Sequence, residues 1–203
     1  NPQTVNDEVL KTIGRKHTAQ QFFDAFELAR KCGFDNINTD LIAGLPTDTP
    51  ESFKNSLDSI VRLNAECITV HTLCMKRASR LTTEGVTLDL QQARDAREML
   101  AYTQNILGQN EYIPYYMYRQ SRMVGNLENV GWSKKGFESL YNVYVMDETH
   151  TILACGSGGV TKLKRNNPDY LERIFNFKYP YEYIDRFDEL IQRKSGIMQF
   201  YGQ

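Results

Sequence analysis

Asn36-Ile37-Asn38-Thr39-Asp40-Leu41-Ile42-Ala43 runs straight into the turn Gly44-Leu45-Pro46, and the rest of the sequence organises itself around this junction. A short, largely apolar run closed by turn residues reads as a strand. Upstream, Gln20 to Cys32 predicts a helix: Phe22, Phe26 and Ala29 recur at helical spacing and Gly33 supplies the stop. Downstream, Thr49 is placed as an N-cap, Pro50 opens a second helix, and Phe53, Leu57, Ile60 and Val61 form its apolar stripe. Cys67 to Cys74 (CITVHTLC) reads as the next strand. Helix, strand, helix, strand with short links is the pattern of parallel β/α units.

The pattern carries a tension. Parallel strands are usually buried on both faces in sheets of several. Two of them, entered through a helix, leave one sheet edge open. The fold class expected is therefore α/β, with residues 1–85 forming the last β/α units of a larger β/α domain begun mid-fold and residues 86–203 a smaller α+β region. The open edge is expected to pair with a second copy or to be covered by a rearranged segment. In the second region Asp89 to Leu107 predicts a helix with Asp89 and Gln92 as a capping pair. Glu111 to Tyr118 is strand-like but holds Pro114, which favours an edge. Leu140–Met146 and Thr151–Cys155 read as an antiparallel hairpin, and Pro168–Phe175 and Tyr181–Lys194 as helices.

The chain has 203 residues, with 24 Lys and Arg against 25 Asp and Glu, and this balance argues against a nucleic-acid or anionic-membrane partner. No apolar run approaches the ~20 residues of a membrane span, and the opening Asn1-Pro2-Gln3-Thr4 resembles no targeting peptide, so a cytoplasmic location is expected. The four cysteines, Cys32, Cys67, Cys74 and Cys155, are too few and too scattered for a disulfide scaffold, and with three histidines they form no sequence-local metal site.

Candidate chemistry is sparse. Asp40 lies near the carboxyl end of its strand, sharing a face with Asn38 and Ile42, where β/α barrels hold their sites, and is either a ligand contact or an internal salt-bridge partner. Arg15 is one candidate partner for it, or a solvated helix-end cation. Cys155-Gly156-Ser157-Gly158-Gly159 is either a loop that brings backbone N–H groups to an anion or a plain turn. Tyr112, Tyr115, Tyr116 and Tyr118 with Arg119 either face a flat macrocycle or pack within a strand. Lys76 and Arg77 either hold carboxylates or sit in a solvated loop.

Five segments together resemble one family: NPQTVNDEVLKTIGRKHT (1–18), NINTDLIAGLPTDTPESF (36–53), ITVHTLCMKRASRL (68–81), YYMYRQSRMVGNLENVGW (115–132) and LYNVYVMDETHTILACGSGGVTK (140–162). They are similar, in order, to the later part of the oxygen-independent coproporphyrinogen-III oxidases, radical S-adenosylmethionine enzymes, with KRAS and GNLENVG closer to the HemZ-type branch. The resemblance implies a partial (β/α)6 barrel and a [4Fe–4S] cluster on a C-x3-C-x2-C loop. That motif is missing from these residues, so the chain is read as a C-terminal fragment that is inactive alone. It further implies oxidation of two propionates of coproporphyrinogen III to vinyl groups in haem biosynthesis, or a haem-chaperone relative without that activity. The tetrapyrrole is the implied partner, with no nucleic acid or membrane and an unidentified electron donor. By motif matching, Gln3, Arg15, Asp40, Cys74 and Val160 fall on positions that contact S-adenosylmethionine in the family. Lys76, Arg77 and Arg119 are matched to propionates by charge alone.

Overall fold

The computed structural model describes residues 1–74, 90–119 and 124–202. It divides into two compact units, Asn1–Ser139 and Leu140–Gln203. The division expected after residue 85 lies outside the described residues.

The first unit begins with helix α1 (Asp7–Thr12) and helix α2 (Ala19–Lys31). Thr18 caps α2 reciprocally with Gln21, which satisfies amide donors that the helix itself leaves unpaired. Strand β1 (Asn38–Ala43), helix α3 (Pro50–Arg62) and strand β2 (Cys67–Thr72) follow. Thr49 accepts from the Ser52 amide and Pro50 occupies the first turn of α3, as the sequence predicts. Helix α4 (Leu90–Gln109) is next; Asp89, the expected cap, lies outside the described residues. Strand β3 (Ile113–Tyr118) and strand β4 (Asn129–Ser133) complete one mixed sheet of order β1-β2-β4-β3. β1 and β2 are parallel, whereas β4 runs antiparallel to both β2 and β3. Gln3 borders the outer edge of β1: its N–H donates to the Asp40 carbonyl at 3.0 Å and its carbonyl accepts from Ile42 N–H at 2.9 Å.

β4 was not expected from sequence. Gly131 at its centre breaks the alternation that marks a strand, and only the pairing of Ile68 with Trp132 and Val70 with Val130 reveals why the segment is extended. On that face Leu41, Ile68 and Val70 pack with Phe53, Leu57 and Ile60 of α3 and Met99 and Leu107 of α4, all fully buried. Each such side chain contributes roughly 1.5–3 kcal/mol by leaving water. Glu66, just before β2, is also buried; it takes Arg30 at 2.8 Å and the Ile37 N–H at 3.0 Å, so helix α2 is tied to the strand edge through a satisfied carboxylate.

One loop position is strained. Thr47, in the turn between β1 and α3, has φ of 64° although it is β-branched and exposed. The left-handed region costs a non-glycine residue roughly 1–2 kcal/mol. Thr47→Gly is therefore expected to stabilise the chain by about 1 kcal/mol, read as a higher midpoint in urea unfolding; an unchanged or lower midpoint would show that the turn is unstrained.

The second unit departs from expectation in three places. Leu140–Asp147 is a helix (α5), not the first arm of a hairpin, and Ile152 instead bridges Lys162. Intrinsic strand preference in LYNVYVM is a weak prior when no strand lies alongside to accept its backbone bonds. The stretch expected as a helix over Pro168–Phe175 is strand: β5 (Val160–Asn166) and β6 (Asp169–Phe175) form an antiparallel ribbon around a two-residue turn at Asn167-Pro168. Pro168 was read as a helix start, whereas here it sits in the turn. The single helix expected over Tyr181–Lys194 is two, α6 (Pro180–Asp185) and α7 (Phe187–Phe200), because Arg186 between them leaves helical backbone angles (φ −114°, ψ 34°). Among the described residues no helix is long and apolar enough to cross a membrane.

Candidate functional site

The sheet of the first unit has two unlike faces, because side chains alternate along a strand. Thr39, Leu41 and Ala43 point into the helix-covered core. Asn38, Asp40 and Ile42 point the other way, and the parallel register places Thr69 opposite Asp40 and His71 opposite Ile42 on that same face. Gly131 and Tyr116 continue it across β4 and β3.

Two chains of polar contacts converge there on Asp40. In the first, Tyr116 OH lies 3.2 Å from Thr69 Oγ1, Thr69 Oγ1 donates to Asn38 Oδ1 at 3.1 Å, and Asn38 Nδ2 donates to Asp40 Oδ1 at 2.7 Å. A hydroxyl has one proton, so Thr69, having given its own to Asn38, must accept from Tyr116. In the second, Tyr118 OH lies 3.2 Å from His71 Nδ1, while His71 Nε2 faces Asp40 Oδ2 at 3.8 Å. Asn1 Nδ2 donates to the same Oδ2 at 2.5 Å. The rings of Tyr116 and Tyr118 are nearly parallel, 6° apart in plane with centroids at 6.3 Å. A Cβ on Gly131 would fall 1.8 Å from Cε1 of Tyr116, so only glycine lets that ring lie across β4.

The electrostatics follow from this arrangement. Partial burial raises the Asp40 carboxyl, but the His71 contact and the Asn38 hydrogen bond outweigh it and hold the group below its ordinary value of 3.8. Asp40 is thus an anion at neutral pH. Its contribution to stability is present above pH 3.8 and is lost as the pH falls through the depressed folded-state value. Burial pushes the Tyr116 phenol up to about 12 and Tyr118 above its ordinary value of 10, so both keep their protons and act as donors. The result is a half-buried carboxylate held in place by donors, with aromatic surface beside it. Such a group can accept hydrogen bonds from the hydroxyl or ammonium groups of a polar ligand.

The sequence-matched residues fall in several places. Gln3 and Asp40 are brought together through their backbones, on neighbouring edges of the sheet. Arg15 is exposed in the loop after α1, its N–H bonded to the Leu10 carbonyl at 2.8 Å, and none of the described polar contacts of Asp40 is to Arg15. Cys74 is half-buried just past β2, and Lys76 and Arg77 lie outside the described residues. Arg119 pairs with Glu128 at 2.6 Å and lines, with Arg97, Val130 and Trp132, a cleft of about 350 Å³ on the helix-covered side of the sheet.

Val160 opens β5 in the second unit, opposite Phe175. The glycine loop before it is a closed turn: Gly156 N–H donates to Tyr183 OH, Gly158 N–H to the Phe177 carbonyl and Gly159 N–H to the Gly156 carbonyl. These amides, which an anion cradle would need, are used within the unit. Sequence reading placed Asn38 on one face with Asp40 but gave it no role, missed Thr69 and His71, and saw Tyr116 and Tyr118 only as part of an aromatic run. The signal available was period-2 alternation, which puts Asn38 and Asp40, and likewise Thr69 and His71, on one face of their strands.

Among the described residues no group of three or more His, Cys, Asp or Glu is arranged to hold a metal ion. The donor set present thus does not fit an iron–sulfur cluster, and no step is assigned through one. The Asp40 face does fit a polar cofactor with hydrogen-bond donors.

The Radical SAM superfamily pattern matches residues 1–60. The oxygen-independent coproporphyrinogen-III oxidase-like protein HemZ of Bacillus subtilis is 38% identical over 199 residues, covering 98% of this chain and 40% of that protein. The heme chaperone HemW of Lactococcus lactis is 32% identical over 174 residues, covering 81% of this chain and 41% of that protein. The solved structure of the coproporphyrinogen III oxidase HemN from Escherichia coli, described as a radical SAM enzyme, superposes with a TM-score of 0.64 at 19% identity. That superposition covers 92% of this chain and 42% of the other. The chain therefore spans about 40% of the length of the relatives it matches.

Proposed function

Because this chain belongs to the HemN/HemZ-type family of radical SAM proteins, we propose that its Asp40 face serves S-adenosylmethionine in an oxidoreductase acting on coproporphyrinogen III. The reaction converts two propionate side chains to vinyl groups, each losing one CO2, one hydrogen atom to the S-adenosylmethionine chemistry and one electron to an external acceptor, giving protoporphyrinogen IX. When bound, S-adenosylmethionine supplies the hydrogen-abstracting chemistry, and the protein supplies position and electrostatics. Asp40 accepts a hydrogen bond from a ribose hydroxyl or the ammonium group, while Asn38 holds the carboxylate in one orientation. Tyr116 and Thr69 act behind Asn38, since the Thr69 hydroxyl, by donating to Asn38 Oδ1, orients the amide with its Nδ2 toward the carboxylate. Gln3, Arg15, Cys74 and Val160 belong to the same cofactor reading, and Lys76, Arg77 and Arg119 to the propionates. A reducing cytoplasm suits the four free thiols.

The observation that carries this reading is the ionised, donor-held Asp40 on the face of the sheet opposite the helices. Asp40→Ala in the complete, cluster-loaded protein is expected to weaken S-adenosylmethionine binding about tenfold or more in calorimetry, the scale of a lost charge-assisted hydrogen bond. Unchanged affinity would reduce Asp40 to a packing residue. The similarity to HemW favours a second reading, a haem carrier built on the same barrel. Turnover of coproporphyrinogen III distinguishes the oxidase from a carrier, which would bind haem stoichiometrically without turnover.

A further inference from the structure

We propose that the cleft between helix α4 and strands β2 and β4 binds a carboxylate carried on an apolar body, with the Arg97 guanidinium and the Trp132 indole N–H as its donors. The cleft lies on the helix-covered side of the sheet, away from the Asp40 face, so the inference does not rest on the cofactor reading.

Two sequence periods build the walls. Alternation along β4 puts Val130 and Trp132 on one face, where Val130 pairs with Val70 of β2. On α4, Arg97, Leu100, Ala101 and Gln104 recur at three- and four-residue spacing and so share one side of the helix. These rows enclose about 350 Å³, and ligand pockets span about 300–1,000 Å³. A second hollow of about 630 Å³ shares Gln104, Glu128, Val130 and Trp132 with the first and extends over Tyr115 and Met117 of β3, which gives an apolar body room to continue.

Two observations make the occupant an anion. Trp132 is only 7% exposed, and its Nε1–H has no hydrogen-bond partner. Buried indole nitrogens usually find one, and an unmet buried donor costs about 1–3 kcal/mol, which an acceptor on a ligand offsets. The charges of the lining point the same way, since two guanidiniums stand against one carboxylate. Arg119 is matched by Glu128 at 2.6 Å, whereas Arg97 has no ion-pair or hydrogen-bond partner among the described residues. One positive charge is left over, which suits a monoanion. A guanidinium takes a carboxylate through two parallel N–H groups, while Val70, Leu100, Val130 and the Trp132 ring remove the attached body from water.

The experiment is calorimetric titration of the complete protein with hydrocinnamate and with hydrocinnamyl alcohol, which share a body and differ in charge. The acid is expected to bind about tenfold or more tightly than the alcohol, the scale of a charge-assisted hydrogen bond. Arg97→Gln, at an exposed position of α4, is expected to abolish that preference while leaving the alcohol's affinity as it was. Trp132→Phe is expected to weaken the acid about fivefold. It also identifies the Trp132 indole N–H resonance by its loss, and in the wild type that resonance is expected to move as the acid is added. Coproporphyrin III, which carries the same group on a macrocycle, separates two sources of the carboxylate: displacement of hydrocinnamate assigns the cleft to a propionate arm, and binding of both assigns it to a separate small acid. No binding of the acid, equal affinity for acid and alcohol, or an Arg97→Gln protein that keeps the wild-type preference would overturn the inference. So would an indole resonance that the acid leaves in place. Should Trp132→Phe fail to fold, the Arg97→Gln comparison still decides.

Discussion

Gly131→Ala is expected to cost about 1–3 kcal/mol of stability, far more than the few tenths usual for a surface strand position. The added Cβ would sit 1.8 Å from Cε1 and 2.4 Å from Cδ1 of Tyr116, so the ring must swing off β4. Swinging it away breaks the Tyr116 contact to Thr69 and removes the head of the donor chain that ends on Asp40. Urea unfolding of Gly131→Ala, Tyr116→Ala and the double variant checks this, since residues in contact are not additive. In the Tyr116→Ala background the alanine at 131 is expected to be neutral or stabilising, because strand interiors favour alanine over glycine once the ring is gone. A cost that persists without Tyr116 would mean that the backbone at 131, not the ring above it, demands glycine.

The second large effect concerns the covered face. Phe53 is fully buried between α3 and the sheet, in contact with a cluster that includes Leu41, Leu57, Ile60 and Val70. Phe53→Ala is expected to destabilise by about 3–5 kcal/mol through lost transfer free energy plus the cavity left behind. That is a large part of the total for an ordinary domain, and the loss is expected as a sharp fall in the midpoint of denaturant unfolding. A cost below about 1 kcal/mol would place the core of this unit elsewhere.

The elements legible in the sequence were those whose signal is local. Thr49 and Pro50 mark a helix start through chemistry contained within four residues, and the observed cap is the one read; the Thr18 cap, equally local, went unread. The runs at Asn38–Ala43 and Cys67–Thr72 needed only short apolar stretches and turn punctuation. The misread elements depend on distant partners. Asn129–Ser133 is a strand because β2 and β3 offer it backbone bonds on both sides, and Leu140–Asp147 is a helix despite its β-branched residues. At the candidate site Asp40 stood out as a lone acid in an apolar strand. His71, Thr69 and Tyr118 did not, since their meaning arises from register between strands about 30 and 47 residues apart in sequence.

The fold thus supplies a sheet with one face sealed by apolar packing and the other carrying an anion held by two tyrosine-headed chains. The most direct test is a crystal structure of the complete, cluster-loaded protein with S-adenosylmethionine bound. A cofactor hydroxyl or ammonium within about 2.7–3.2 Å of the Asp40 carboxylate, on the face shared with Thr69 and His71, is the predicted result. A cofactor seated away from that face, with the Asp40 carboxylate still on Asn38, Asn1 and His71, would contradict it.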